Sequence, residues 1–202
     1  MLVGVVGFIS SGKGTVGDIF AENGFVKDSF AKPLKDAVSS VFGWQRELLE
    51  GDTEYSRKWR EEPDAFWSEK FGREFTPREA LQLMGTEAGR DVFHKDLWVI
   101  SLLNRAKGKD VVVTDVRFKN EIDYIQKNDG IVIRVKRGED PEWFDDMSDE
   151  PSEFFREQMM KGRGVHRSEW DWVGCDFDYV IDNDASIIQL RQKIEYVLQQ
   201  IK

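Results

Sequence analysis

The chain has 202 residues, 40% of them hydrophobic and 33% charged, and carries a net charge of -9 at pH 7. That length accommodates one sizeable α/β core, or one core with inserted segments. The acidity argues against polymeric nucleic acid as a partner, because such binding relies on lysines and arginines that neutralise phosphates. A single cysteine, Cys175, excludes an internal disulfide and suits a reducing compartment. No apolar stretch reaches the roughly 18 residues of a membrane span, and the N-terminal apolar run lacks the basic flank of a signal peptide. The expectation is a cytoplasmic protein with no membrane partner.

Taken in chain order, apolar β-branched runs alternate with helical periodicity, the pattern of a parallel sheet covered by helices. Strands are predicted over 2–7, 25–29, 110–114, 131–136 and 177–182. Helices are predicted over 12–23, 33–42, 77–91, 95–106, 119–128 and 186–200. The fold class is therefore α/β, one three-layer α/β/α domain over 1–202 with a mostly parallel five-stranded sheet. Two stretches break the rhythm. Residues 43–76 are charged and aromatic, and residues 137–175 are acidic: from Arg137 to Trp172 there are 11 acidic residues against 5 basic ones. Both read as insertions over the carboxyl edge of the sheet, where open α/β folds bind ligands.

The first strand runs into Gly7-Phe8-Ile9-Ser10-Ser11-Gly12-Lys13, the phosphate-binding loop pattern, placed between a strand and a helix. Glycines let backbone N–H groups converge on phosphate oxygens, the helix N-terminus adds partial positive charge, and Lys13 reaches the terminal phosphates. Ser10, Ser11, Gly12, Lys13, Gly14 and Thr15 are accordingly the candidate ATP-binding residues. One position departs from the pattern: Gly14 follows the lysine where a hydroxyl normally ligates magnesium, and Thr15 comes one place later. Magnesium would then be held mainly by phosphates and water. The Gly-Lys-Gly-Thr form resembles the loop of adenylate-kinase-type nucleoside monophosphate kinases.

Two further segments bring charge toward the same sheet edge. Asp28-Ser-Phe-Ala-Lys-Pro-Leu-Lys35 ends a strand, with Pro33 at a first helical position. Val111-Val-Val-Thr-Asp-Val-Arg117 is a buried-type strand ending in Asp115, which can hold a magnesium-bound water, while Arg117 can clamp a phosphate through its planar fork.

With these segments read, the chain resembles phage-type deoxynucleoside monophosphate kinases of the P-loop nucleotide kinase superfamily. The resemblance rests on Gly7 to Thr15, SFAKPLK, the run TPREALQLMGTEAGR over 76–90, Trp98, TDVRFKNE and His166-Arg-Ser-Glu169, which occur in that order. It covers most of the chain outside the interiors of the two insertions. It implies a P-loop kinase fold with a mobile lid, a cytoplasmic location in the host if phage-encoded, and ATP-dependent phosphorylation of a deoxynucleoside 5′-monophosphate to the diphosphate with Mg²⁺. It also implies that Lys35, Arg78, Arg90 and Arg117 contact the acceptor, that Gln82, Glu87 and Trp98 shape its pocket together with His166 and Glu169, and that Asp115 supports magnesium. Asn183 and Asp184, after the last strand, become candidates for the adenine border, although Asp184 reads equally well as a helix cap.

The second insertion then reads as the lid over 137–175, and 43–76 as an acceptor-side insertion. Within the lid, Arg163 and Arg167 sit among glycines in an otherwise acidic segment, a placement suited to stabilising charge on a phosphoryl group in transit. Lys13, Asp115, Arg117, Arg163 and Arg167 are the candidate catalytic residues, with Asp115 and Thr15 the candidate metal contacts. A phosphomevalonate-kinase-like enzyme shares the loop, the proline-leucine-lysine segment and the Asp-x-Arg, and a regulatory ATP-binding module would need the loop alone. The tryptophans, read as exposed, are compatible with a homodimer.

Overall fold

The computed structural model of the chain describes residues 1–201. It forms two compact units, one of residues 1–29 with 106–202 and one of residues 30–105.

The first unit is built on five parallel strands, β1 (Leu2–Val6), β2 (Val26–Asp28), β3 (Val111–Val113), β4 (Ile131–Lys136) and β5 (Tyr179–Asp182), in the spatial order β2-β3-β1-β4-β5. Leu2 pairs with Val111, Val3 with Ile131, Val26 with Val111 and Ile133 with Tyr179. β1 and β3 are buried on both faces, as parallel strands between helical layers must be. Val3 and Val5 join the core formed with Val16, Ile19 and Phe20 of α1 (Lys13–Glu22) and Leu190, Ile194 and Val197 of α10 (Ile187–Gln200). Gly4, between them, faces the other way. A Cβ there would stand 2.5 Å from Ile125 Cδ1 on α7 (Lys119–Lys127), so that helix packs directly on the β1 backbone. The result is three layers. The 137–175 stretch carries α8 (Phe144–Asp149), α9 (Glu153–Gly162) and a 3₁₀ turn, Arg167–Glu169.

The second unit is helical: α2 (Lys32–Phe42), a 3₁₀ turn (Arg46–Leu49), α3 (Glu54–Glu61), α4 (Ala65–Phe71), α5 (Pro77–Gln82), a π-helix (Leu83–Phe93) and α6 (Leu97–Ala106). Its core gathers Val38, Trp44, Leu49, Phe75 and Ala80, with Phe42, Trp59 and Trp67 packed against them. Phe42 stacks on Trp44 at 4.6 Å. Asp64 ties the cluster together by accepting from both the Trp44 indole and the Trp67 backbone N–H.

Two expectations need correction. The helix predicted over 77–91 is an α-helix only as far as Gln82 and continues as a π-helix, because packing around Gly85 and Gly89 overrides the apolar spacing. No tryptophan is exposed: Trp44, Trp170 and Trp172 are buried and the other four are half-buried, so their large apolar faces are spent inside the units. No helix among the described residues is long and apolar enough to cross a membrane.

Candidate active site

The first unit assembles its site from three loops at the carboxyl ends of β1, β3 and β5. The loop after β1 needs glycine where the structure puts it. Gly7 has φ +152° and a Cβ there would lie 2.3 Å from the Val135 carbonyl oxygen; Gly12 has φ +102° and a Cβ would lie 2.3 Å from Asn183 Nδ2. Ser10 takes a left-handed φ of 64° to complete the turn. Phe8 is anchored edge-on to Trp143, Phe144 and Trp172 of the 137–175 stretch, at 5.7, 6.0 and 4.9 Å between ring centres. Gly12 caps α1 without a side chain, and no acidic residue lies in the helix's first turn, so its free N–H groups and dipole remain available to an anion. The buried Ser11 hydroxyl has no hydrogen-bond partner among the described residues, which leaves a donor in the same loop.

Lys13 folds back over this loop and donates to the carbonyls of Gly7 at 2.8 Å and Phe8 at 2.7 Å. Burial, then the positive charge of Arg117, push its ammonium down from 10.5 to about 8, against an opposing pull from Glu169. Lys13, Arg117 and Glu169 thus form one charge cluster. Arg117 Nη1 donates to Glu169 Oε1 at 2.8 Å, while the Arg117 backbone N–H donates to Glu121 Oε2 at 2.8 Å. Glu121 is buried and also accepts from the Phe118 N–H at 3.1 Å, so it sets the loop that carries Arg117.

Asp115 lies half-buried one residue beyond Thr114, whose Cγ2 would stand 2.4 Å from a Cβ on Gly17 of α1. The β3 end thus packs closely on α1, the helix that carries Thr15 in its first turn. No group of three or more His, Cys, Asp or Glu able to hold a metal occurs among the described residues. One carboxylate and one hydroxyl fit Mg²⁺ bound chiefly through substrate phosphates and water. They do not make an all-protein cage.

Beyond β5, Asn183 Nδ2 donates to the Ser11 carbonyl at 2.9 Å and its N–H to the Lys136 carbonyl at 2.7 Å, so this turn borders the loop after β1. Asp184 does not cap α10. Ser186 does, while Asp184 Oδ1 accepts from the Gly138 N–H at 2.6 Å and closes the turn after β4. Of the two arginines predicted as catalytic in the 137–175 stretch, Arg167 Nε donates to Asp171 Oδ1 at 2.8 Å and its Nη2 to Glu153, whereas exposed Arg163 donates to the Met159 carbonyl at 3.4 Å. His166 is exposed and its Nδ1 pairs with the Ser168 hydroxyl at 2.9 Å.

The remaining candidates belong to the second unit. Lys35 donates to Glu50 at 2.5 Å, and Arg78 pairs with Glu61 at 3.2 Å. Arg90 is half-buried, while Gln82 and Glu87 are exposed. The Trp98 indole is engaged by the Gly85 carbonyl at 2.8 Å.

Three structural contributors escaped sequence reasoning. Phe8 has no assigned role in the loop pattern, and Asp171, which accepts from the Lys119 N–H at 2.8 Å and from Arg167, is one acid among many in its segment. Glu121 did carry a signal, a Glu at the third position of a predicted helix, which commonly reaches back to the N-cap backbone.

No family model matches the chain. The fold is similar to the crystal structure of TT1252 from Thermus thermophilus, with a TM-score of 0.50 at 18% identity over 100% of this chain and 98% of that one. In sequence, the chain is 38% identical over 87 residues to the deoxynucleoside-5′-monophosphate kinase of Escherichia phage T5, covering 39% of this chain and 34% of that protein. It is 35% identical over 152 residues to an Acanthamoeba polyphaga mimivirus protein described as a deoxynucleotide monophosphate kinase, covering 68% of this chain and 74% of the relative. That extended identity, on a parallel sheet whose first loop presents uncapped amides and a lysine, places the chain in the deoxynucleoside monophosphate kinase family of phosphotransferases.

Proposed function

We propose that the chain transfers the γ-phosphoryl group of ATP to the 5′-phosphate of a deoxynucleoside monophosphate, in line and without a covalent enzyme intermediate. The observation that carries this reading is the pair of cations, Lys13 and Arg117, close enough for one to depress the other's proton affinity, beside the uncapped start of α1. Two neighbouring cations, one of them held on the carboxylate of Glu169, suit a polyanionic ligand, and the phosphates of donor and acceptor together supply one. The acceptor phosphate is largely ionised near neutral pH and needs no strong base. Positioning and charge stabilisation carry the catalysis.

In this scheme the amides of Ser10 to Thr15 and the Lys13 ammonium bind the ATP phosphates, with Asn183 and Asp184 bordering the adenine. Arg117 moves from Glu169 to the acceptor phosphate. Asp115, through water, and Thr15 would hold Mg²⁺, which when bound neutralises phosphate charge as the transfer proceeds. The 137–175 stretch acts as the lid. Arg163 and Arg167 serve the transferring group there, Arg167 by exchanging Glu153 for phosphate, with His166 and Glu169 at the acceptor. Lys35, Arg78, Gln82, Glu87, Arg90 and Trp98 of the second unit, which includes the 43–76 insertion, serve the deoxynucleotide. The enzyme would be virus-encoded and work in the host cytoplasm.

The test is ADP release from ATP·Mg²⁺ with each deoxynucleoside monophosphate in turn, with mevalonate 5-phosphate and no acceptor as controls, for the parent, Lys13→Ala and Arg117→Ala. Release confined to deoxynucleotides and lost in both variants is the expected result. Acceptor-independent release, or release with mevalonate 5-phosphate alone, would overturn the reading.

A further inference from the structure

The segment after α5 has an unusual winding with a definable cause. Over residues 83–93 the backbone is a π-helix, and its last turn closes with the His94 N–H donating to the Gly89 carbonyl five residues back, at 3.2 Å. Such turns are rare and concentrate at functional sites. Along α5 and the π-helix together the buried residues are Pro77, Ala80, Gly85 and Gly89, the last three at spacings of five and four, while Gln82, Thr86 and Glu87 are exposed.

An α-helical continuation would do the reverse. At 3.6 residues per turn, Glu87 lies at i+7 from Ala80 and would return to Ala80's buried face, while Gly85 and Gly89 would rotate away from it. The π winding therefore decides which way a carboxylate points. An α winding would turn that carboxylate toward an apolar face, where an unpaired charge is disfavoured.

Three contacts hold the winding in place. The Trp98 Nε1–H donates to the Gly85 carbonyl at 2.8 Å. The Trp98 ring lies so close to Gly89 that a Cβ there would be 2.7 Å from Cζ2, and Leu34 Cδ2 would be 2.9 Å from a Cβ on Gly85. Only glycine lets the ring and the leucine approach the backbone this closely.

We infer that Trp98 is a positioning residue: by binding the Gly85 carbonyl and covering Gly89, it keeps residues 83–93 in the π winding that presents Glu87 to the deoxynucleotide. The inference rests on the acceptor reading above. It assigns Trp98 an indirect role, since its N–H is committed to the backbone, and makes Glu87 the group that meets the acceptor.

Trp98→Phe removes the N–H and keeps an aromatic ring, and two readouts follow it. In the full chain carrying Cys175→Ser and Glu87→Cys, labelling of Cys at position 87 by a small thiol reagent should slow about tenfold or more when Trp98→Phe is added, as the segment rewinds and the position turns inward. With Glu87 in place, Trp98→Phe should raise KM for the deoxynucleotide about tenfold while kcat and KM for ATP change little. The effects of Trp98→Phe and Glu87→Gln on that KM should not add. Gly89→Ala, which displaces the ring from the other side, should reproduce both changes. Equal labelling rates, equal KM values, or additive effects would each overturn the inference. If no deoxynucleotide is turned over by the parent, the proposed activity falls, and the labelling rates still decide whether Trp98 sets the winding.

Discussion

Arg117 and Glu169 lie 52 residues apart and meet at 2.8 Å, Nη1 to Oε1, and both charges act on the ammonium of Lys13. The phosphate loop is thereby tied electrostatically to the end of β3 and to the 3₁₀ turn of the 137–175 stretch, before any phosphate is considered.

Lys13 should therefore report on its two neighbours. Because its ammonium is held at about 8, ATP affinity measured by calorimetry should fall as pH rises through 8, as the free enzyme loses this charge. Arg117→Ala removes the repulsion and should move that limb to higher pH; Glu169→Gln removes the attraction and should move it lower. A limb that stays put in both variants would mean the charges are uncoupled.

The same depressed value has a stability consequence with a definite sign. Between about 8 and 10.5 the unfolded chain binds more protons at this lysine than the folded one, so stability rises with pH there. Charged Lys13 is a cost below pH 8. Lys13→Met should gain most over the parent near neutral pH, and the gap should narrow by pH 10 in denaturant titrations.

Gly7 and Gly14 should respond oppositely to alanine. Gly7→Ala puts a Cβ 2.3 Å from a backbone oxygen at positive φ, and should cost about 2 kcal/mol or more and abolish ATP binding. Gly14 has nothing within 4 Å of its would-be Cβ and lies in α1, so Gly14→Ala should be neutral or stabilising by up to ~1 kcal/mol. Thermal melts with and without ATP distinguish the two.

Phe8→Ala should uncouple the loop from the aromatic group that holds it. Losing edge contacts with Trp143, Phe144 and Trp172 should cost on the order of 2 kcal/mol. Phe8→Leu should recover part of this. ATP affinity that drops in Phe8→Ala and returns partly in Phe8→Leu would show that anchoring preorganises the loop, whereas unchanged affinity would limit Phe8 to packing.

The parts of the protein legible from sequence are those where local chemistry has one solution. A strand of small β-branched residues running into Gly7 and Gly12, with Lys13 opening a helix, can bury its faces and turn its amides outward in one way, and β1, the loop and α1 stand within a residue or two of expectation. The other four strands follow the same logic. What the linear pattern missed lies where distant groups decide. Residues 77–91 carry α-helical spacing, yet the Trp98 indole and Leu34 select a π winding from Leu83 onward. Asp184 reads as a cap by its position, yet Gly138 claims its carboxylate and Ser186 caps the helix.

Sequence alone, then, determined most of the element types, the parallel α/β class and the glycine turn between β1 and α1, because backbone sterics and the burial of apolar faces act over a few residues at a time. Tertiary structure alone decided which groups meet: in the first unit, that Arg117 meets Glu169 and that Lys13 feels both; in the second, that Glu87 is exposed. Electrostatic coupling and close packing depend on distance in space. No spacing along the chain encodes that distance.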